Sequence, residues 1–205
     1  IDDKFLSSML FQEWRKKSVI VRNQEELKKN IPKITTKKVV LKPISESGGK
    51  GIQIFEKDTA SSIKFSGEHI IQDFIDSSGG VPGISSGAHD FRLVIVNDDI
   101  VYAYIREPKE GSFLANLAQG GSLKIVRNEN IPASVYPLVE HAHSIFASFH
   151  PKIYTIDIMF DLDQRPWIVE LNSMPGLYFT PEEKPSMEKM YHTLLEVFQK
   201  KLISP

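Results

Sequence analysis

Cysteine is absent from all 205 residues, which excludes disulfides, a thiolate nucleophile and thiolate-held zinc. A thiol-free chain suits a reducing compartment, and a cytoplasmic protein is expected. No apolar run approaches the roughly 20 residues that a membrane-crossing helix needs, so no membrane partner is expected. Charge of one sign is missing too: 25 Lys and Arg stand against 26 Asp and Glu, a net −1. Without a broad basic field nucleic acid is not an expected partner, and any phosphate binding has to be local. His141, His143 and His150 have no acidic neighbour at ligand spacing and read as surface or packed residues. There is no Ser-His-Asp arrangement, internal repeat or low-complexity tract. The chain opens on Ile1 rather than Met, so further sequence upstream is expected. What is present is a globular composition, 41% hydrophobic, enough for one large domain or two small lobes.

The most informative stretch runs from Tyr154 to Pro175, YTIDIMFDLDQRPWIVELNSMP. Apolar and polar residues alternate through Ile156, Ile158 and Phe160, and again from Trp167 to Asn172, the period of two expected of strands. Folding the arms symmetrically about an Asp161 to Pro166 turn pairs Phe160 with Trp167, Ile158 with Val169 and Asp157 with Glu170. One face is then apolar, formed by Ile156, Ile158, Phe160, Trp167, Val169 and Leu171. The other brings Asp157 and Glu170 side by side with Asn172 one step along. Paired carboxylates repel unless a cation lies between them, and oxygen ligands on a rigid scaffold suit Mg²⁺, with Mn²⁺ as the alternative. A solvated outer face with scattered acids is the bland alternative.

The order upstream reads helix (Lys4 to Trp14, with Phe5, Met9, Leu10 and Trp14 as its apolar stripe and Asp2 or Asp3 as cap), strand (Val19 to Val21), helix from an Asn23/Glu26 capping box, then strand Val39 to Leu41 ending in Lys42-Pro43. SESGGKG follows, with Gly48, Gly49 and Gly51 around Lys50, a pattern that lets backbone N–H groups nest an anion. It is not a P-loop, because Gly51 rather than Ser or Thr follows the lysine and a strand rather than a helix comes next. A mobile hairpin flap fits better, although Gly-Gly turns also serve ordinary hairpins. Lys42 strengthens the reading, since a strand amine is seldom buried without an anionic partner.

His69 to Ile75 is a further strand, and Ser77 to His89, rich in Gly and Ser, reads as a structureless loop or linker between two lobes. A second hairpin about Asn97-Asp98-Asp99 places Phe91, Leu93, Ile95, Val101, Ala103 and Ile105 on one face and Asp90, Arg92, Tyr104 and Arg106 on the other. Arg106, at a strand end, is the better anion ligand of the two arginines. Phe113 to Leu123, which includes Asn116, has no clear period. Helices are expected over Ser134 to Phe149 and over Ser186 to Leu202, the latter packing through Met187, Met190, Tyr191, Leu194, Leu195, Phe198 and Leu202.

Taken in order, Asp3-Lys4 opening a helix, VVLKP with SGGKGI, IIQDFI, HDFRLVIV, the segment Arg106 to Gly121, and IDIMFD with VELNSMPG resemble the ATP-grasp superfamily. The nearest branch is that of glutathione synthetase and ribosomal-protein glutamate ligase. The resemblance implies an α+β fold of two lobes that sandwich ATP between antiparallel sheets: residues 1–76 with the flap and hinge strand, and residues 77–205 with the metal site. It implies that Lys42 and often Lys4 contact ATP phosphates, that Gly48, Gly49, Lys50 and Gly51 close over them, and that Gln72, Asp73, Phe74 and Ile75 bind adenine largely through backbone groups. Asp90 is then a ribose ligand, and Arg92 belongs to the same nucleotide site. Arg106 and Asn116 face the transferred phosphoryl group, and Asp157, Glu170 and Asn172 hold Mg²⁺. The N-terminal domain usual in the family is not in this stretch, and the 77–89 segment is longer than the pattern predicts.

The activity this implies is ATP-dependent carboxylate–amine ligation through an acylphosphate, on small-molecule or peptide substrates, with Arg106 and Lys42 as catalytic cations and with oligomerisation left open. Two rivals stay open: a phosphotransferase acting on a small-molecule hydroxyl, and a non-catalytic ATP-binding module.

Overall fold

The computed structural model describes residues 4–44, 46, 49–109, 122–173, 175 and 181–203. Two compact units divide the chain, Ile1–Asp76 and Ser77–Pro205. The expectations placed on Asp2, Asp3, Gly48 and Asn116 lie outside the described residues.

In the first unit a four-stranded antiparallel sheet has the order β1-β4-β2-β3, from Ser18–Val21 (β1), Lys38–Pro43 (β2), Gln53–Glu56 (β3) and His69–Asp73 (β4). Alternation explains its two faces. Val39 and Leu41 of β2 and Ile71 of β4 point into a core with Val21, Leu27, Ile34, Phe55 and Ala60. Lys42 and Gln72 occupy the opposite face. Helix α2 (Gln24–Asn30) begins as the sequence predicts, with the Asn23 side chain accepting from the Glu26 N–H. Glu26 reaches back one residue further than a standard capping box, to the N–H of Arg22 at 2.9 Å.

Helix α1 (Lys4–Leu10) departs from expectation. It stops four residues short of Trp14, and its buried positions are Lys4 and Ser7, followed by Phe11, while Met9 is exposed. Polar contacts choose this face: Lys4 reaches the carbonyls of Ile44 and Glu46, and Arg15 donates to Ser7 Oγ at 3.0 Å.

The second unit holds a five-stranded antiparallel sheet of order β7-β6-β5-β8-β9. Its strands are Asp90–Val96 (β5), Asp99–Glu107 (β6), Ser122–Val126 (β7), Ile153–Phe160 (β8) and Pro166–Asn172 (β9). Strand β7 begins near the end of the stretch that shows no clear period. Both hairpins keep the expected register where the site residues lie, with Asp90 opposite Arg106 and Asp157 opposite Glu170, and lose it toward their turns. In β8–β9 a bulge puts Ile158 opposite Ile168 and Met159 opposite Trp167. Ile168 therefore joins Ile156, Ile158, Phe160 and Leu171 in the core, in place of Trp167 and Val169, which are only half-buried. Asp161 holds Trp167 outside the core by accepting from its indole N–H at 2.6 Å, and Arg165 lies 4.3 Å from its ring centroid. In β5–β6 the turn has two residues rather than three, and Ile95 faces Ile100. Asn97 takes a left-handed φ of +54° and exchanges backbone and side-chain hydrogen bonds with Lys152.

The 77–89 segment carries no helix or strand, as expected of a loop or linker. Gly80 needs its positive φ of +81°, because a Cβ there would meet the Ser85 carbonyl oxygen at 2.1 Å. Helix α3 (Tyr136–Ile145) is shorter than predicted and leaves Phe149 exposed. Helix α4 (Lys184–Ile203) packs through Met190, Leu194 and Val197 onto Val94, Val96, Tyr102 and Tyr104. Tyr191, Leu195 and Phe198, expected in that stripe, are 43%, 57% and 51% exposed. Among the described residues no helix is long and apolar enough to cross a membrane.

The two sides of α4 should respond differently to truncation. Met190→Ala is expected to cost about 2–4 kcal/mol and Leu195→Ala less than about 0.5 kcal/mol in urea denaturation. Equal costs would contradict this packing.

Candidate active site

The second unit concentrates four charged side chains on one sheet face. Strand β5 pairs with both β6 and β8, so Arg92 lies between Tyr104 and Asp157 while Asp90 lies beside Arg106. Arg92 grips Asp157 with two prongs, Nε to Oδ1 and Nη2 to Oδ2, both 2.6 Å. Arg106 Nη2 donates to Asp157 Oδ2 at 3.0 Å and to Asp90 Oδ2. Arg92 Nη1 reaches the Tyr104 hydroxyl at 3.5 Å.

Burial and charge act in opposite directions here. Burial disfavours the Asp157 carboxylate, but the guanidinia of Arg92 and Arg106 outweigh it and hold its carboxyl below the ordinary range. At Asp90 burial leads, reinforced by the charge of Asp157 against the pull of Arg106, and its carboxyl is pushed up to about 6. Asp90 Oδ1 and Arg106 Nε are buried with no hydrogen-bond partner among the described residues.

Next to this cluster Glu170 faces Asp157 across β8–β9, and Asn172 faces Thr155. The Asn172 Nδ2 group donates to Thr155 Oγ1 at 3.4 Å, which leaves the amide oxygen as acceptor. Two carboxylates and an amide oxygen on one face are hard donors of the kind a divalent cation such as Mg²⁺ takes. That donor chemistry fits the expected metal. No three His, Cys, Asp or Glu side chains among the described residues converge on a point, so a cation here would complete its shell with other oxygens.

In the first unit Lys42 is 4% exposed and donates to Gln72 Oε1 at 2.9 Å, while Gln72 Nε2 donates to the Lys16 carbonyl. Lys4, also buried, lies against the carbonyls of Ile44 and Glu46, where the glycine-rich segment begins. Gly49 and Gly51 both take positive φ, +75° and +71°, and a Cβ on Gly51 would come 2.9 Å from the Pro43 ring. Lys50 is exposed at the tip of this turn.

The family model described as the RimK-like ATP-grasp domain matches residues 1–186. This chain belongs to that family. Its two antiparallel sheets with helices are the α+β architecture that the sequence resemblance implies. A probable alpha-L-glutamate ligase of Trichodesmium erythraeum is 30% identical over 145 residues, 68% of this chain and 44% of that protein. The chain thus spans less than half the length of this relative. Among solved structures, a D-alanine–D-alanine ligase from Bacillus anthracis complexed with ATP has a TM-score of 0.61 at 14% identity, covering 97% of this chain and 66% of that one. The ATP-grasp ligase PsnB complexed with minimal precursor, Mg and ADP has a TM-score of 0.57 at 11% identity, covering 85% and 51%. At these identities the two structures testify to the ATP-grasp fold.

Within this ATP-grasp domain some expected site residues also hold their own surroundings together. The Asp73 carboxylate accepts from the N–H and hydroxyl of Thr35, at 2.6 and 2.9 Å, and from the N–H of Thr36, which ties the end of β4 to the turn before β2. The N–H of Phe74 is taken by Thr36 Oγ1 at 3.0 Å. Asp90, expected at the ribose, shares Arg106 with Asp157. Sequence reasoning missed Thr155, which is fully buried and orients Asn172. It also missed that β5 and β8 would be neighbours. The complementary charges of Arg92 and Arg106 on one hairpin and Asp157 on the other were the available signal.

His89, just ahead of Asp90, anchors the start of β5. Its Nδ1 lies 3.2 Å from the carbonyls of both Ser77 and Gly87, and its Nε2 accepts the Phe160 N–H at 3.0 Å. The ring is therefore neutral with its proton on Nδ1. Burial pushes its pKa below 6.5, against the raising effect of the two carbonyls. The folded state thus resists a proton that the unfolded chain accepts: the His89 contribution is complete above pH 6.5 and is lost as pH falls. In urea titrations from pH 7.5 to 5.5 the stability advantage of the native chain over His89→Gln is expected to shrink as pH drops. A constant difference would contradict this protonation state.

Proposed function

We propose that this chain is the nucleotide-binding and catalytic part of an ATP-dependent carboxylate–amine ligase. The observation that carries the reading is the buried Asp90–Arg106–Asp157–Arg92 cluster beside Glu170 and Asn172, a set of cations and oxygen donors suited to a polyphosphate and its metal. Family membership supports the same activity. The name of the Trichodesmium erythraeum relative supports L-glutamate as one of the two substrates joined.

In this reading a carboxylate oxygen of the acid attacks the γ-phosphorus of ATP, the bond from that phosphorus to the β,γ-bridging oxygen breaks, and ADP leaves. An amine nitrogen then attacks the acylphosphate carbonyl, the carbon–oxygen bond to phosphate breaks, and the nitrogen gives up a proton as the amide forms. The chain supplies position and charge rather than a nucleophile. Lys42 and Lys4 neutralise phosphate oxygens, and the turn at Gly49 to Gly51 offers N–H groups to them. Arg106 stabilises the charge on the transferred phosphoryl group, and Asp90 holds its guanidinium. Asp157, Glu170 and Asn172 would hold Mg²⁺, which would supply positive charge against the polyphosphate.

Glu170→Gln keeps the shape of this side chain and removes one ligand charge. It is expected to lower amine-dependent ADP release by on the order of 100-fold with the thermal midpoint preserved. Hydroxylamine in place of the amine should yield a hydroxamate, which only an acylphosphate gives. ADP formation without hydroxamate would instead support phosphoryl transfer to a hydroxyl.

A further inference from the structure

We propose that Arg92 is a latch on the metal site: without nucleotide it occupies Asp157, so that a divalent cation is admitted only together with a polyphosphate. The inference rests on the functional reading above and adds an order of binding to it.

A carboxylate offers about four lone-pair positions. At Asp157 three are taken, one by Arg92 Nε on Oδ1 and two on Oδ2, by Arg92 Nη2 and Arg106 Nη2. A guanidinium does not lose its proton at any working pH, so this carboxylate faces two permanent positive charges at hydrogen-bond distance. A Mg²⁺ or Mn²⁺ ligated by Asp157 would sit about 2.1 Å from its oxygen and be repelled by both. Against the carboxylates of Asp157, Asp90 and Glu170, Arg92 and Arg106 cancel two charges, which leaves at most a single net negative charge to attract a bare dication.

A polyphosphate changes both sides of this balance. It brings its own oxygens for the cation, and it offers the arginines an acceptor whose planar fit to a guanidinium matches that of a carboxylate. Among the described residues Arg106 Nε and Asp90 Oδ1 are buried and have no hydrogen-bond partner. A buried donor without a partner gains when an anion arrives. Arg92 holds Asp157 more firmly than Arg106 does, through two contacts of 2.6 Å against one of 3.0 Å, and is therefore the residue whose removal frees the carboxylate.

The test is Mn²⁺ binding, followed by electron paramagnetic resonance and calorimetry, with and without the non-hydrolysable analogue adenosine 5′-(β,γ-imido)triphosphate. The native chain should take up Mn²⁺ weakly alone and strongly with the analogue. Arg92→Met should bind Mn²⁺ without nucleotide at least about tenfold more tightly than the native chain, because the carboxylate loses its stronger cationic partner. Arg92→Lys, which keeps a charge but not the two-pronged grip, should lie between them and covers the case in which Arg92→Met does not fold. Adding Asp157→Asn to Arg92→Met should abolish the gain. Equal affinity of native and Arg92-substituted chains for Mn²⁺ alone, with tighter binding in the presence of the analogue, would overturn the latch and leave the nucleotide site standing. No Mn²⁺ uptake by any of them under either condition would overturn both.

Discussion

A carboxylate buried in a sheet keeps its charge where cations or hydrogen-bond donors press against it, and Asp157 satisfies that condition through Arg92 and Arg106. The fork from Arg92 crosses from β5 to β8, and the single contact from Arg106 reaches in from β6, so one ionic cluster ties three strands together. Breaking such a buried set by deleting one partner costs about 3–5 kcal/mol, because the remaining charge is left without compensation. The registry of the sheet and the chemistry of the site therefore depend on the same few atoms. Along that face the ionic residues give way to Val94, Val96 and the stacked rings of Tyr102 and Tyr104, against which α4 packs. Tyr104 belongs to both regions, touching Arg92 through its hydroxyl and the helix side through its ring.

The two units handle positive charge differently. In the first, the buried cations Lys4, Arg15 and Lys42 reach neutral acceptors, among them the carbonyls of Ile44 and Glu46, the Ser7 hydroxyl and the Gln72 amide. A lysine is a point charge on a flexible stem and can turn toward an arriving anion. In the second, arginines are locked by planar geometry to carboxylates, an arrangement that defines position more than reach.

How much of this could be read from the residues depended on whether the signal was local. Strict alternation located the two long hairpins, and the Asn23/Glu26 pair located the start of α2, because strand periodicity and capping are settled within a few residues. The fold came from the ordered set of motifs, each weak alone. Side-chain duties within the hinge strand were hidden, since Asp73 binds Thr35 and Thr36, nearly forty positions away. Helix faces were misjudged where apolar residues surround the axis: α4 offers several stripes, and the sheet surface of Val94, Val96, Tyr102 and Tyr104 decides that Met190, Leu194 and Val197 are the one used. In α1 polar anchoring at Lys4 and Ser7 overrode the apolar pattern. The pairing of Asp157 with Glu170 was right for a reason only partly understood from sequence, because a turn shorter by one residue and a bulge of one residue cancel.

That cancellation occurs in both hairpins, between Val94 and Ile95 and between Asp157 and Ile158. Each bulge separates the ionic end of its hairpin from the loop end, absorbing a change of parity that would otherwise travel the whole ladder. A loop at the far end can thus differ in length by a residue, provided a compensating kink forms beside the site, while the acidic and basic groups keep their partners. The scaffold is modular at the scale of half a strand, with a fixed geometry at one end and tolerance at the other.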